Sequence, residues 1–219
     1  MKKKFILSTI LLLMVVAGGG IGYYYWYQGT HYITTEDARV AGDTYRVMPR
    51  ISGKLTSLDL SDGQSVIAEQ IVGQQDTTNI AGNMLDNATL RAPITGTVLK
   101  VTAKSGEVVA PGQSVATIVD MNKLYVSANI EETDLGRIHV GQSVEFTLDS
   151  FKGQTFRGQV SELGTATAST FSLLPATSTS GNFTKVTQRI PIKISINDKQ
   201  NSRILPGMSA VIKIHLKGN

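Results

Sequence analysis

The segment Arg91–Val109, RAPITGTVLKVTAKSGEVV, has an earlier counterpart in Pro49–Val66, PRISGKLTSLDLSDGQSV. Ile51-Ser52-Gly53 matches Ile94-Thr95-Gly96, Leu58 matches Val101, Gly63 matches Gly106 and Val66 matches Val109. One offset of about 43 residues aligns all of them. Glycines and apolar positions matched at a constant offset mark two copies of one supersecondary unit. One copy makes a few short strands with a single apolar face, which it cannot bury alone. Two copies can cover each other as a flattened sandwich. Within the second copy, strand alternation places Val98 and Lys100 on one side and Leu99 and Val101 on the other.

The repeat sits behind a distinct N-terminus. Lys2-Lys3-Lys4 precedes Phe5–Gly22, a run of 18 uncharged and mostly apolar residues, and Tyr23–Tyr27 reads YYYWY. A helix of that length reaches about 27 Å, the thickness of a bilayer core. Aromatic rings favour the membrane interface and a positive flank stays in the cytoplasm. The pattern predicts a single-pass transmembrane helix, N-terminus inside and the bulk of the chain outside. A cleaved signal peptide ending near Val15-Val16-Ala17 is the competing reading; the length and the aromatic cluster favour the retained anchor.

Beyond residue 28 the chain reads as mainly β. Ser143–Leu148 and Ala210–Leu216 alternate as half-buried strands do, and Ser105-Gly106, Pro111-Gly112, Gly141 and Pro206-Gly207 mark turns. A short helix is predicted at Glu131–Ile138, with acids early and Arg137 late. Thr165–Ser180, about half Ser and Thr, reads as a surface loop.

Composition removes several function classes. Net charge is +4, but three of those charges are Lys2, Lys3 and Lys4, so no basic face is left for nucleic acid. The chain has no cysteine, hence no thiol chemistry or disulfide. His31, His139 and His215 lack metal-ligand spacing. No nucleophile motif, phosphate loop or dinucleotide fingerprint occurs, so the reading is a non-enzyme without cofactor or metal. The glycines Gly53, Gly63, Gly96, Gly106 and Gly112 read as turn formers.

Two half-motifs of this kind resemble the lipoyl/biotinyl-like β-sandwich. Carriers of that fold present a modifiable lysine between the halves, and Leu55–Arg91 contains none. Four segments then resemble the HlyD/EmrA-type membrane fusion proteins, periplasmic adaptor subunits of multidrug efflux pumps. They are THYITTEDARVAGDTYRVMPRISGKL (Thr30–Leu55), ANIEETDLGRIHVGQSVEF (Ala128–Phe146), NFTKVTQRIPIKISIND (Asn182–Asp198) and LPGMSAVIKI (Leu205–Ile214). They occur in the family's order, and Lys185–Pro191 leans toward the EmrA branch.

The resemblance implies an anchor and cytoplasmic basic end over 1–28, a strand at 29–45 joining a β-barrel, a lipoyl-like domain at 46–120 and a β-barrel domain at 121–219. It also implies a homo-oligomer docked on an inner-membrane transporter of the major-facilitator type. Family members usually separate the lipoyl halves with a long helical hairpin. Here Thr77–Thr89 takes its place, too short for two packed helices, which puts an outer-membrane channel partner in doubt. By position, Glu36, Asp37 and Arg39 are candidate transporter contacts, and Arg50 and Arg91 candidate subunit contacts; the plainer reading is charges left in solvent. Two other functions remain open: a stand-alone envelope interaction module, and a lipoyl-type carrier, which the missing lysine disfavours.

Overall fold

The computed structural model describes residues 2–78, 82–167, 170, 187–197 and 203–216, with backbone alone at 2–10, 83 and 84. Most of the predicted Thr165–Ser180 loop, Asn182–Val186 and residues 79–81 of the 77–89 linker therefore lie outside the described residues. The chain is mainly β and divides into two compact units, residues 1–40 with 126–219, and residues 41–125.

The second unit is a sandwich. Its strands are β2 (Thr44–Val47), β3 (Gly53–Leu58), β4 (Ser65–Val66), β5 (Ile71–Gln75), β6 (Thr89–Arg91), β7 (Gly96–Val101), β8 (Val108–Val109) and β9 (Ala116–Val119). They form two four-stranded sheets, ordered β2-β9-β7-β4 and β6-β5-β3-β8. In each sheet a hairpin from one copy of the repeat is flanked on both sides by strands of the other. The registers are equivalent as well: Gly53 pairs with Val109 and Val66 with Gly96. Leu55 pairs with Gln75 as Val98 pairs with Ile118, and Leu58 with Gly73 as Val101 with Ala116. Each correspondence is a shift of 43 residues. Neither copy completes a sheet without the other, which is the physical reason for the repeat.

Val47, Leu55, Val66, Val72, Leu90, Val98, Val109, Val115 and Ile118 form the shared core. Simple alternation fails at one place in each copy. A bulge lies between Leu55 and Ser57, and again between Val98 and Lys100. The extra residue shifts the phase of the pleat. Val98 is buried, Lys100 is exposed, and Val101 packs against the core. The expectation that Val98 and Lys100 share a side is thereby corrected; in the first copy the equivalent bulge lets Leu55 and Leu58 both pack against the core.

The first unit begins with α1 (Lys2–His31), which runs directly into β1 (Tyr32–Ala41). Among the described residues no helix is long and apolar enough to cross a membrane. The side chains of Phe5–Ile10, the first third of the predicted span, lie outside the described residues.

β1 joins β10 (Tyr125–Glu131), β11 (Ser143–Leu148), β12 (Thr155–Leu163), β13 (Arg189–Ile196) and β14 (Ser209–His215) in a closed barrel ordered β1-β10-β13-β12-β11-β14. Closure removes both sheet edges. Alternate residues fill the interior: Val126, Ala128 and Ile130 from β10, Val144, Phe146 and Leu148 from β11, Ile190, Ile192 and Ile194 from β13. Phe146 stacks on Phe156 with centroids 5.5 Å apart. The predicted helix at Glu131–Ile138 is instead a 3-10 turn over Glu132–Arg137. Six residues containing Gly136 are too few to nucleate an α-helix.

Candidate interaction surfaces

The bulge in β1 between Thr35 and Ala38 carries the first candidate cluster. It turns Ala38 and Val40 into the barrel and leaves Glu36, Asp37 and Arg39 outside. Thr35 organises the bend: its hydroxyl donates to Asn129 O at 3.2 Å and accepts the Asp37 N–H at 3.1 Å. Asp37 then faces two partners. Arg189 Nη1 lies 2.6 Å from Oδ2, and Asn129 Nδ2 donates to Oδ1 at 3.1 Å. Asp37 is thus engaged within the barrel, tying β1 to β10 and β13. Glu36 and Arg39 remain on the wall of a shallow groove of about 450 Å³ that also includes Ser127, Pro191 and Ser209.

The sandwich candidates separate in the same way. Arg50 is exposed in the loop after β2. Arg91 is occupied: Nη2 lies 3.2 Å from Asp86 Oδ1, and Nη1 donates to Glu69 O at 3.2 Å. It braces the linker's 3-10 turn (Gly82–Ala88) against the turn that holds Glu69.

Gly63, Gly106 and Gly112 lie in turns at positive φ of 81°, 93° and 87°. Gly53 and Gly96, expected as turn formers, instead open β3 and β7. At Gly96 the requirement is close approach, since a Cβ there would lie 2.3 Å from Val119 O.

Other side chains with unusual surroundings carried no signal of their own in the sequence. Gln75 is 1% exposed; Nε2 donates to Ile51 O at 3.0 Å and Gly53 O at 3.3 Å, while Oε1 has no partner. Its counterpart one repeat later is Ile118. Glu69 has φ of 64° at the position where the second copy has Gly112. Next to Gln75, the Thr78 hydroxyl and then the Thr78 N–H donate to the Asp76 carboxylate and hold its pKa below the ordinary value. Among the described residues no group of His, Cys, Asp or Glu could hold a metal ion.

Among the described residues, the candidate side chains lie on the surfaces of the two units and assemble no reaction centre. Family models place this arrangement. The model described as "RND MFP, barrel-sandwich hybrid domain" matches residues 43–121, and the "YknX-like beta-barrel domain" matches 124–214. The efflux system component YhbJ of Bacillus subtilis is 41% identical over 187 residues, covering 85% of this chain and 81% of that protein. The chain belongs to the HlyD/EmrA-type membrane fusion proteins.

The multidrug resistance protein EmrK of Escherichia coli is 35% identical over 132 residues, covering 60% of this chain and 34% of EmrK. This membrane fusion protein thus spans about four-fifths of YhbJ and about a third of EmrK. Among solved structures, MacA from Actinobacillus actinomycetemcomitans has a TM-score of 0.65 at 17% identity, covering 85% of this chain and 80% of that one. The periplasmic adaptor protein EmrA has a TM-score of 0.56 at 15% identity, covering 85% and 99%. These two likenesses concern the fold.

Proposed function

We propose that this membrane fusion protein is a non-catalytic, membrane-anchored adaptor of a drug or small-molecule efflux system. Residues 5–22 tether it as a single-pass helix with the N-terminus in the cytoplasm. The rest docks on an inner-membrane transporter of the major-facilitator type and oligomerises to shape the export path. The observation that supports this best is architectural: an interlocked sandwich and a closed barrel, in the family's order, without an assembled reaction centre among the described residues. Glu36 and Arg39 are the transporter-facing charges in this reading, and Arg50 the subunit-facing one. Asp37 and Arg91 are taken up by Arg189 and Asp86. Only Thr77–Ala88 separates β5 and its flanking Asp76 from β6, which favours an adaptor that does not reach an outer-membrane channel.

Two measurements test this. Affinity purification from native membranes is expected to bring down a polytopic transporter. Loss of the gene is expected to abolish extrusion while the transporter is still made. Normal extrusion without this chain would show that it is an envelope module with no pump role. An added mass on the intact protein would point to the carrier reading instead.

A further inference from the structure

A helix ends with carbonyls that have no intrahelical partner. At the end of α1 the barrel supplies those partners. Arg137 Nη2 donates to the carbonyl oxygens of Gly29 and Thr30, both at 2.9 Å. The Leu216 N–H donates to His31 O at 2.9 Å. The guanidinium also complements the negative end of the helix dipole.

Arg137 is itself held in place. Gln142, 5% exposed, donates through Nε2 to Arg137 O at 3.1 Å and accepts the His139 N–H at 3.1 Å. Asp134 Oδ1 lies 3.4 Å from Arg137 Nη1. Ring contacts add to the junction. His31 stacks on Tyr27 at 4.0 Å, Tyr32 meets the His215 ring edge-on at 5.0 Å, and Lys213 Nζ sits 3.9 Å above the Tyr32 ring.

We propose that Arg137 fixes α1 and the barrel as one body, and that the barrel end bearing Tyr32, Lys213 and His215 rests on phospholipid headgroups. This deepens the anchor reading of α1 and rests on it. The aromatic run Tyr23–Tyr27 is the part of the helix suited to headgroup depth. Only one helical turn, about 6 Å, separates Tyr27 from His31, where β1 takes over. With no linker and with its last carbonyls gripped, the helix cannot let the barrel drift from the surface. Glu145, 3.5 Å from His215, and Asp134 offset part of the positive charge at this end. The contact is therefore set by the short tether and the aromatic rings more than by net charge.

The chain has no cysteine, so single labels can be placed at will. Leu13→Cys reports on the helix, Ser143→Cys on the barrel end beside His215, and Asp149→Cys on the far end of β11. Ser143 and Asp149 are about 20 Å apart along an extended strand. The full-length variants carry a fluorophore in vesicles of phosphatidylcholine and phosphatidylglycerol, with quenchers attached to headgroups or to acyl chains. Acyl-chain quenching at Leu13, headgroup quenching at Ser143 and none at Asp149 is the expected pattern. Arg137→Gln should remove the difference between Ser143 and Asp149 while Leu13 stays quenched, and Arg137→Lys should restore part of it. A buried Leu13 with Ser143 as unquenched as Asp149 overturns the surface contact alone. An unchanged Ser143 signal in Arg137→Gln overturns the clamp. A Leu13 label in water overturns the anchor reading and this inference with it.

Discussion

The two copies of the repeat share one backbone plan and differ at a few side chains, and those differences separate what the fold requires from what it tolerates. Leu55 and Val98, Val66 and Val109, and Gly63 and Gly106 are interchangeable in role. Gln75 stands where the second copy has Ile118, Glu69 where it has Gly112, and Asp76 where it has Val119. All three departures lie in the first copy, on or after the turn leading into β5, and two of them directly precede the short linker. The second copy, which returns the chain to the barrel, has the apolar or glycine choice each time.

Cutting a shared core position should have the largest effect. Leu55 is fully buried between the sheets, and Leu55→Ala is expected to cost about 2–5 kcal/mol. Urea unfolding followed by hydrogen exchange over residues 44–119 would report the loss in strands of both copies, because each sheet contains both. Loss confined to the first copy would mean that the halves fold separately.

The two strand-opening glycines should respond unequally. Gly96→Ala pushes a methyl against Val119 O, a backbone atom that cannot swing away, and should cost about 1–3 kcal/mol. Gly53→Ala meets the side-chain Nε2 of Gln75 at 3.3 Å, which can shift. It should cost clearly less in the same unfolding measurement.

A smaller contrast lies at the matched turns. Gly112→Ala forces a Cβ into the left-handed region and should cost about 1 kcal/mol. Glu69→Gly relieves the same strain but frees the unfolded chain, so its gain should be under about 0.5 kcal/mol. Equal and opposite midpoint shifts would show that the unfolded state does not contribute.

The smallest effect is a pH dependence at Asp76, where the second copy has Val119. The folded-state pKa of Asp76 is lowered, first by the Thr78 hydroxyl and then by the Thr78 N–H. Its contribution to stability is therefore present above the ordinary carboxylate value and is lost as pH falls through the folded value. Thr78→Val should move the Asp76 titration, followed by NMR, upward toward the ordinary carboxylate value.

The repeat, the turns at Gly63, Gly106 and Gly112 and the barrel strands were legible because their periodicities survive in a single chain. The exchange of strands between copies was not, since the partners are set by tertiary packing at unequal separations, as in Lys54 with Val108, Ser65 with Thr97 and Thr44 with Val119. The bulges at Thr56 and Leu99 were hidden because one extra residue breaks an alternation that each short strand barely establishes. Comparing Gln75 with Ile118 and Glu69 with Gly112 at the repeat offset would have revealed both departures. Asp37 and Arg91 read as free charges because Arg189 and Asp86 become their neighbours only in the folded chain. Arg137 read as a helix-terminal cation, and the helix it caps proves to be α1 rather than its own turn.

The interlocking of the halves can be tested by cross-linking in this cysteine-free chain. Lys54 faces Val108 across one sheet, and Ser65 faces Thr97 across the other. Directly opposed residues lie within the Cα range a disulfide tolerates. Lys54→Cys with Val108→Cys, and Ser65→Cys with Thr97→Cys, should each oxidise readily to an intramolecular bond in the folded protein. Failure of both pairs, while a separate Lys54→Cys/Ser65→Cys variant oxidises readily, would show that each half closes on itself.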